Sequence, residues 1–349
     1  MIPMPMTQQR RYLFRRSRPW HVLASRPLQL GLTASFAALG LGLGLAGSSV
    51  AAPDGLAQKP ASAKVIRIGV SKFGSVLNYL YARKTLEPAL AQRGVTVEWK
   101  EFVAGPQLME ALAVGSIDFT FTGEPPPIFA QAAGTPVVYV ANERLGPAAV
   151  AVLVPRGSRL KTVADLKGKR VAITKATNSQ YIVNEGLRRA GLKPTDITPV
   201  YLTPAEGRAA FDAGKVEAWS TWDPFQAAAE KASGARVLYD GKGIQPNNGY
   251  YLATRAFANA NAPTLAALLK VVGATNSFAS RNPRAVAEVL SPRYGLPVEV
   301  LEAVERRRQH GLQPIDAQVI AGQQKVADGF YREKLLPRPV KVADAVWRP

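Results

Sequence analysis

The chain predicts an α/β fold of two lobes built on largely parallel sheets, and three features carry that expectation. Short β-branched runs alternate with helical patterns from residue 65 to residue 240, the spacing of strand–helix–strand crossovers. The alternation falls into two blocks, about 65–140 and 160–240, separated by extended segments near 149–155 and 249–254. From Pro263 onward the pattern is almost wholly helical. Two blocks with two crossings make the second lobe an insertion in the first, so that 64–150 and 250–349 form lobe one and 151–249 form lobe two. One large sheet is the alternative that periodicity leaves open.

The elements follow in order. VIRIGV at 65–70 alternates as a strand, and the polar turn Ser71–Ser75 leads into a helix through Leu77, Leu80, Tyr81 and Leu86. VTVEWKEF at 95–102 is the next strand, GPQ at 105–107 starts a helix, and LMEALAVG at 108–115 continues it. IDFTFTG at 117–123 is a strand followed by a proline-started helix, and VVYVA (137–141) and AVAVLVP (149–155) are further strands. In the second block, VADLKGKRVAIT at 163–174 gives a short helix and a strand, and NSQYIVNEGLRRAG at 178–191 gives a helix stopped by glycine. ITPVYL (197–202), AEGRAAFDAG (205–214), VEAWSTW (216–222) and PFQAAAEKA (224–232) repeat the alternation.

The first 51 residues read as an export signal. Six arginines (Arg10, Arg11, Arg15, Arg16, Arg18 and Arg26) precede an apolar stretch from Leu28 to about Gly47, and small residues then lead to Ser49-Val50-Ala51. Cleavage near Ala51 is expected, with 52–63 as a Pro/Ala/Ser linker. A retained membrane anchor is the competing reading, because the apolar stretch is about long enough; its Gly and Ala content and the cleavage-like sequence favour removal. Arg10-Arg11-Tyr12-Leu13-Phe14 resembles a twin-arginine signal, yet the apolar region starts many residues later, so both export routes stay open. The chain contains no cysteine, which excludes disulfides, thiol catalysis, thiolate-bound metals and a lipidated N-terminal cysteine. An exported protein without such an anchor is expected in the periplasm.

The formal charge of +19 drops to +13 once the six signal arginines are removed from the 44 basic residues, against 25 acidic ones. Such a field favours anionic ligands. Nucleic acid is not the expected partner, since the basic residues are spread along the chain. The one tight cluster, Arg306-Arg307-Arg308, reads as a solvated helix face.

The catalytic inventory is poor. Of two histidines, His21 lies in the signal and His310 falls in RRQHG, expected to be a helix C-terminus, where the dipole favours a cation. Nucleophile elbows, phosphate loops and dinucleotide fingerprints are missing, and neither a metal nor a cofactor is implied. Four strand-to-helix loops remain: Ser71–Ser75, Gly105–Gln107, Thr122–Glu124 and Ala176–Ser179. Each can offer backbone N–H groups to an anion at a helix start, although the same residue types also simply cap helices.

WKEFVAGPQLMEALAVGSIDFTFTGEPPPIFAQAAGTPVVYV, residues 99–140, closely resembles the periplasmic aliphatic sulfonate-binding proteins of ABC importers, within the wider nitrate, sulfonate and taurine receptors. The likeness continues through 154–183, 199–219 and WDPF at 222–225. It implies the type II periplasmic binding protein fold: two lobes with mostly parallel sheets, joined by a two-crossing hinge and closing on a ligand. It also implies an organosulfonate ligand, an ABC permease and its ATPase as partners, and a monomer without enzymatic activity. Carried over residue by residue, it places the sulfonate against Lys72, Phe73, Gly74, Gln107, Thr122, Gly123, Thr177, Asn178 and Ser179, with Trp222 and Asp223 on the lobe-two side. A sulfonate stays ionised and only accepts hydrogen bonds, so neutral donors suit it. Phe73, Tyr181, Trp219, Trp222 and Phe225 are available as walls for its tail, the two tryptophans sharing a face if their strand is regular.

Glu124 is the awkward residue. Where the family usually has aspartate, a carboxylate repels a bare anion; it either binds the ammonium of a zwitterion such as taurine or turns outward to cap the helix. Lys175-Ala176-Thr177-Asn178 also departs from the family's lysine-glycine-serine-serine, removing a glycine and adding an amide. Alternatives within the receptor role are therefore taurine, nitrate or a thiamine-precursor pyrimidine. An exported enzyme would have to use Glu124 with Asp223 as its acid–base pair.

Overall fold

A computed structural model describes residues 64–72 and 75–348. The signal and linker, with Phe73 and Gly74, lie outside the described residues.

The first block forms β1 (Val65–Ser71), α1 (Val76–Arg83), α2 (Leu86–Ala91), β2 (Thr96–Phe102), α3 (Gly105–Ala113), β3 (Phe119–Gly123), α4 (Pro125–Ala132) and β4 (Val137–Arg144). The chain then crosses into β5 (Val150–Val154), β6 (Arg170–Ile173), α5 (Asn178–Arg189), β7 (Thr198–Tyr201), α6 (Pro204–Asp212), β8 (Ala218–Trp222), α7 (Phe225–Ser233) and β9 (Arg236–Asp240). It returns through β10 (Asn248–Thr254) to α8 (Arg255–Ala260), α9 (Ala262–Arg281), α10 (Pro283–Tyr294), α11 (Val298–Arg307), β11 (Gln309–Gln313) and α12 (Ala317–Arg332).

Two separate sheets result, ordered β11-β4-β10-β3-β1-β2 and β7-β6-β8-β5-β9. Each is covered on both faces. Helices α1, α2, α9, α10 and α11 close one side of the first sheet through residues such as Leu77, Leu86, Leu268 and Leu290, and α3, α4 and α12 close the other through Leu108, Ile128 and Phe330. The second sheet is sandwiched in the same way, which explains why β3, β5 and β8 are buried along their whole length.

The parallel order holds in one half of each sheet only. β1 pairs parallel with β2 and β3, and β6 with β7 and β8. β10 runs antiparallel to β3 and β4, and β5 antiparallel to β8 and β9. The reason is topological: β5 and β10 are the strands that carry the chain into and out of the second sheet, so neither follows a right-handed crossover.

Two expectations for the C-terminal region change. The helical run is interrupted by β11, which pairs with the edge strand β4 and contains His310. The ring Nε2 lies 3.0 Å from Glu305 O in the last turn of α11, but burial holds the imidazole below its ordinary pKa, which works against the cation expected there. The arginine cluster is not a solvated face either. Only Arg306 pairs on the surface, with Glu302. Arg307 reaches Asp223 and Glu230 in the second lobe, and Arg308 is buried against Glu143, whose carboxylate also accepts from Tyr251 Oη (2.7 Å) and Asn276 Nδ2 (3.1 Å).

Candidate functional site

The strand order identifies the crevice before any side chain is considered. From β1 the chain moves to β2 on one side and then to β3 on the other; from β6 it moves to β7 and then to β8. Ligands in open α/β sheets sit beyond the carboxyl ends of the strands at such reversals. The ends of β1 and β3 are Ser71-Lys72 and Thr122-Gly123; those of β6 and β8 lead to Thr177-Asn178 and Trp222. These residues, with Val103, Ala104, Gly105 and Pro126, line one narrow pocket between the lobes, partly open to solvent.

Two helices aim their N-termini from opposite lobes. The residue before α3, Ala104, has no side chain able to cap, and Thr177 before α5 gives its hydroxyl to Thr174 O (2.7 Å) instead of to the helix. The first N–H groups of both helices are thus left uncapped by side chains, at the partially positive helix ends. α4 differs: Pro125, Pro126 and Pro127 supply no N–H at all, so its start shapes the pocket and donates little. Glycine is required twice. A Cβ on Gly105 would sit 2.2 Å from Thr122 Oγ1, and one on Gly123 would sit 2.4 Å from Asn178 Oδ1. The latter contact is made between the lobes.

Behind the pocket lies a buried polar network. Asn178 Nδ2 donates to Glu124 Oε2 (3.2 Å) and to Asn247 Oδ1 (2.7 Å); Asn248 N donates to Glu124 Oε1 (3.1 Å); Asn247 Nδ2 donates to Gly146 O (2.8 Å). It connects the pocket wall to both crossings, 145–149 and 241–247. Burial pushes the Glu124 carboxyl up to about 8, against the pull of these donated bonds.

Of the expected site residues, the fold brings Lys72, Thr122, Gly123, Thr177, Asn178 and Trp222 together around the pocket. Gln107 is exposed in an adjoining groove. Glu124 neither faces the cleft nor caps α4: it is fully buried beneath Asn178. The Ser179 hydroxyl is locked to the second sheet, donating to Ser220 O at 2.7 Å, while Ser220 Oγ donates to Ser179 O. Asp223 does not line the pocket. It accepts from Ala227 N (3.1 Å) in α7 and from Arg307 (3.3 Å), burial raising its carboxyl to about 7 against the arginine's pull. That separation leaves Glu124 and Asp223 no shared cleft in which to act as an acid–base pair.

Among the described aromatics only Trp222 reaches the pocket wall. The expectation that a regular strand would let Trp219 share this face fails: residues three apart on a regular strand point to opposite faces, and Trp219 packs on Phe211 instead. Tyr181 packs on Phe330, and Phe225 stands edge-on to Trp222. Sequence reasoning missed Val103, Ala104 and Pro126; the exposed apolar Val103 between a strand and a helix start was the available signal. Among the described residues no group of acidic or histidine side chains is arranged to hold a metal ion.

The NMT1/THI5 like family matches residues 90–286, more than half of the chain. The chain belongs to this family. Among solved structures, the alkanesulfonate-binding protein SsuA from Xanthomonas axonopodis pv. citri, bound to MOPS, is 41% identical with a TM-score of 0.79, covering 83% of this chain and 100% of that one. The periplasmic aliphatic sulphonate binding protein SsuA from Escherichia coli is 40% identical with a TM-score of 0.76, covering 82% and 93%. The taurine-binding periplasmic protein of Escherichia coli is 29% identical over 44% of this chain and 47% of its own length. The two-lobed type II binding-protein fold is thereby shared with structures of full-length likeness, and both solved relatives are binding proteins.

Proposed function

We propose that this protein is the periplasmic receptor of an ABC importer and takes up aliphatic sulfonates. One observation carries the reading: an interlobe pocket at both strand-order reversals, walled by the hydroxyl residues Ser71 and Thr122 and by the uncapped backbone N–H groups at the starts of α3 and α5, with Lys72 as its one charged lining residue among the described residues. A permanently ionised, acceptor-only headgroup matches that donor set. The position of Glu124 favours a simple sulfonate over taurine, because a carboxylate buried under Asn178 offers nothing to a ligand ammonium. In this reading the chain is exported, cut near Ala51 and works as a monomer. Segments 64–150 and 250–349 close against 151–249 about the two crossings, and the closed receptor docks on a permease driven by its ATPase.

The test is thermal unfolding of residues 52–349 with methane-, ethane- and butanesulfonate, taurine, nitrate, sulfate and a thiamine-precursor pyrimidine, each at two salt concentrations. A ligand that binds only the folded state raises Tm by mass action. A rise confined to alkanesulfonates is expected; a rise with one of the other ligands alone replaces the sulfonate, and no rise with any refutes the receptor reading.

A further inference from the structure

The pocket continues outward into a second groove, and the two share Val103 and Ala104. Its walls come from the next strands out: the end of β2 and start of α3 on one lobe, the end of β7 and start of α6 on the other. Among the described residues, large apolar side chains are rarely exposed, yet Val103 (57% exposed) and Tyr201 (49%) both line this groove, one from each lobe. Lys175 Nζ stands 5.9 Å from the centre of the Tyr201 ring, a cation–π distance. The carboxylate at the rim, Glu206, is held in the capping box of α6 by Thr203 N (2.9 Å) and Oγ1 (2.8 Å) and so does not bar the groove.

We infer that this outer groove is a tail subsite: with the sulfonate in the inner pocket, Val103 and Tyr201 receive the distal part of a long alkyl or ring-bearing sulfonate. The inference rests on the sulfonate reading above. The two side chains line one groove from opposite lobes, so a tail lying in it is flanked by both, and the continuity through Val103 and Ala104 lets one molecule span both compartments. Lys175 supplies a donor at the outer end for a tail that finishes in an acceptor. Short sulfonates fill the inner pocket alone and leave Tyr201 wet.

Calorimetric titration of residues 52–349 with ethane-, butane-, hexane- and octanesulfonate tests this, in the wild type and in Tyr201→Ser, a site that lines the outer groove alone. Tyr201 is about half exposed, so the substitution does not threaten the fold. The wild type should gain about fourfold in affinity for each methylene buried beyond butane. The variant should lose most of that gain and keep the ethanesulfonate affinity. Equal chain-length dependence in wild type and variant, or no chain-length dependence in the wild type, overturns the tail subsite while ethanesulfonate binding keeps the receptor reading standing. Failure of every sulfonate to bind removes both.

Discussion

Ionisation of Glu124 should set the alkaline limit of both stability and ligand binding. The carboxyl is fully buried and pushed up to about 8 in the folded protein, against an ordinary 4.5. A carboxyl whose pKa is raised by folding holds its proton more tightly when folded. Stability is therefore greatest below 4.5, falls as pH rises, and stops falling above about 8. One pKa unit corresponds to about 1.36 kcal/mol, so linkage between these two values gives a loss of about 1.4 kcal/mol between pH 7 and pH 9. Glu124→Gln keeps the shape and cannot ionise. It also sets an amide N–H₂ against one of the existing donors, so its absolute stability is a poor guide and its pH dependence is the useful quantity. Urea denaturation of residues 52–349 at pH 6, 7, 8 and 9 isolates the effect, because other titrating groups cancel between the two proteins. The wild type should lose about 1.4 kcal/mol relative to the variant between pH 7 and 9. The sulfonate Kd of the wild type should rise above pH 8, since an ionised Glu124 sets a negative charge behind the pocket, and the variant should show no such rise. A stability difference that stays constant from pH 6 to 9 refutes the argument, as does one that changes only near 4.5.

Gly123→Ala places a methyl group against Asn178 Oδ1 across the lobes; ligand affinity should fall by about tenfold or more, equivalent to about 1.4 kcal/mol, with the circular dichroism spectrum unchanged. Arg308→Met strands the Glu143 carboxylate in the core and should cost about 3–5 kcal/mol in denaturant unfolding, part of it recovered when Glu143→Gln is added. Ala176 has a positive φ of 57°, in the region that disfavours a Cβ, and donates its N–H to Gln180 Oε1 at 2.7 Å. Ala176→Gly should thus raise stability by up to about 1 kcal/mol, with the relief of backbone strain partly offset by the looser unfolded chain; an unchanged or lower Tm counts against strain at that loop.

The strand–loop–helix units were legible because their signals are local. VIRIGV alternates within six residues, and Gly105 and the run Pro125–Pro127 mark helix starts from their own chemistry. β11 was not legible: QHGLQ has no apolar alternation and is a strand because β4 lies beside it. The antiparallel halves of both sheets escaped for a similar reason, since direction follows from where the chain crosses and not from what its residues are. At the site, the loops predicted to hold the ligand do converge. The roles of Glu124, Ser179 and Asp223 changed because each has a partner distant in sequence: Asn248, Ser220 and Arg307.

By itself, then, the sequence determined the alternation of strands and helices, the two blocks, the absence of thiol chemistry and the polar loops that end the central strands, all of which depend on residues within a turn or two of one another. Only the tertiary structure decided which polar groups face the cleft and which are consumed behind it. Burial is a property of the assembled lobes: it turns Arg308 from an apparent surface charge into the partner of Glu143, and Glu124 from an apparent ligand contact into the carboxyl that holds Asn178 in place. A side chain's charge is written in the chain, while the dielectric and the partners around that charge are set by segments that meet only on folding.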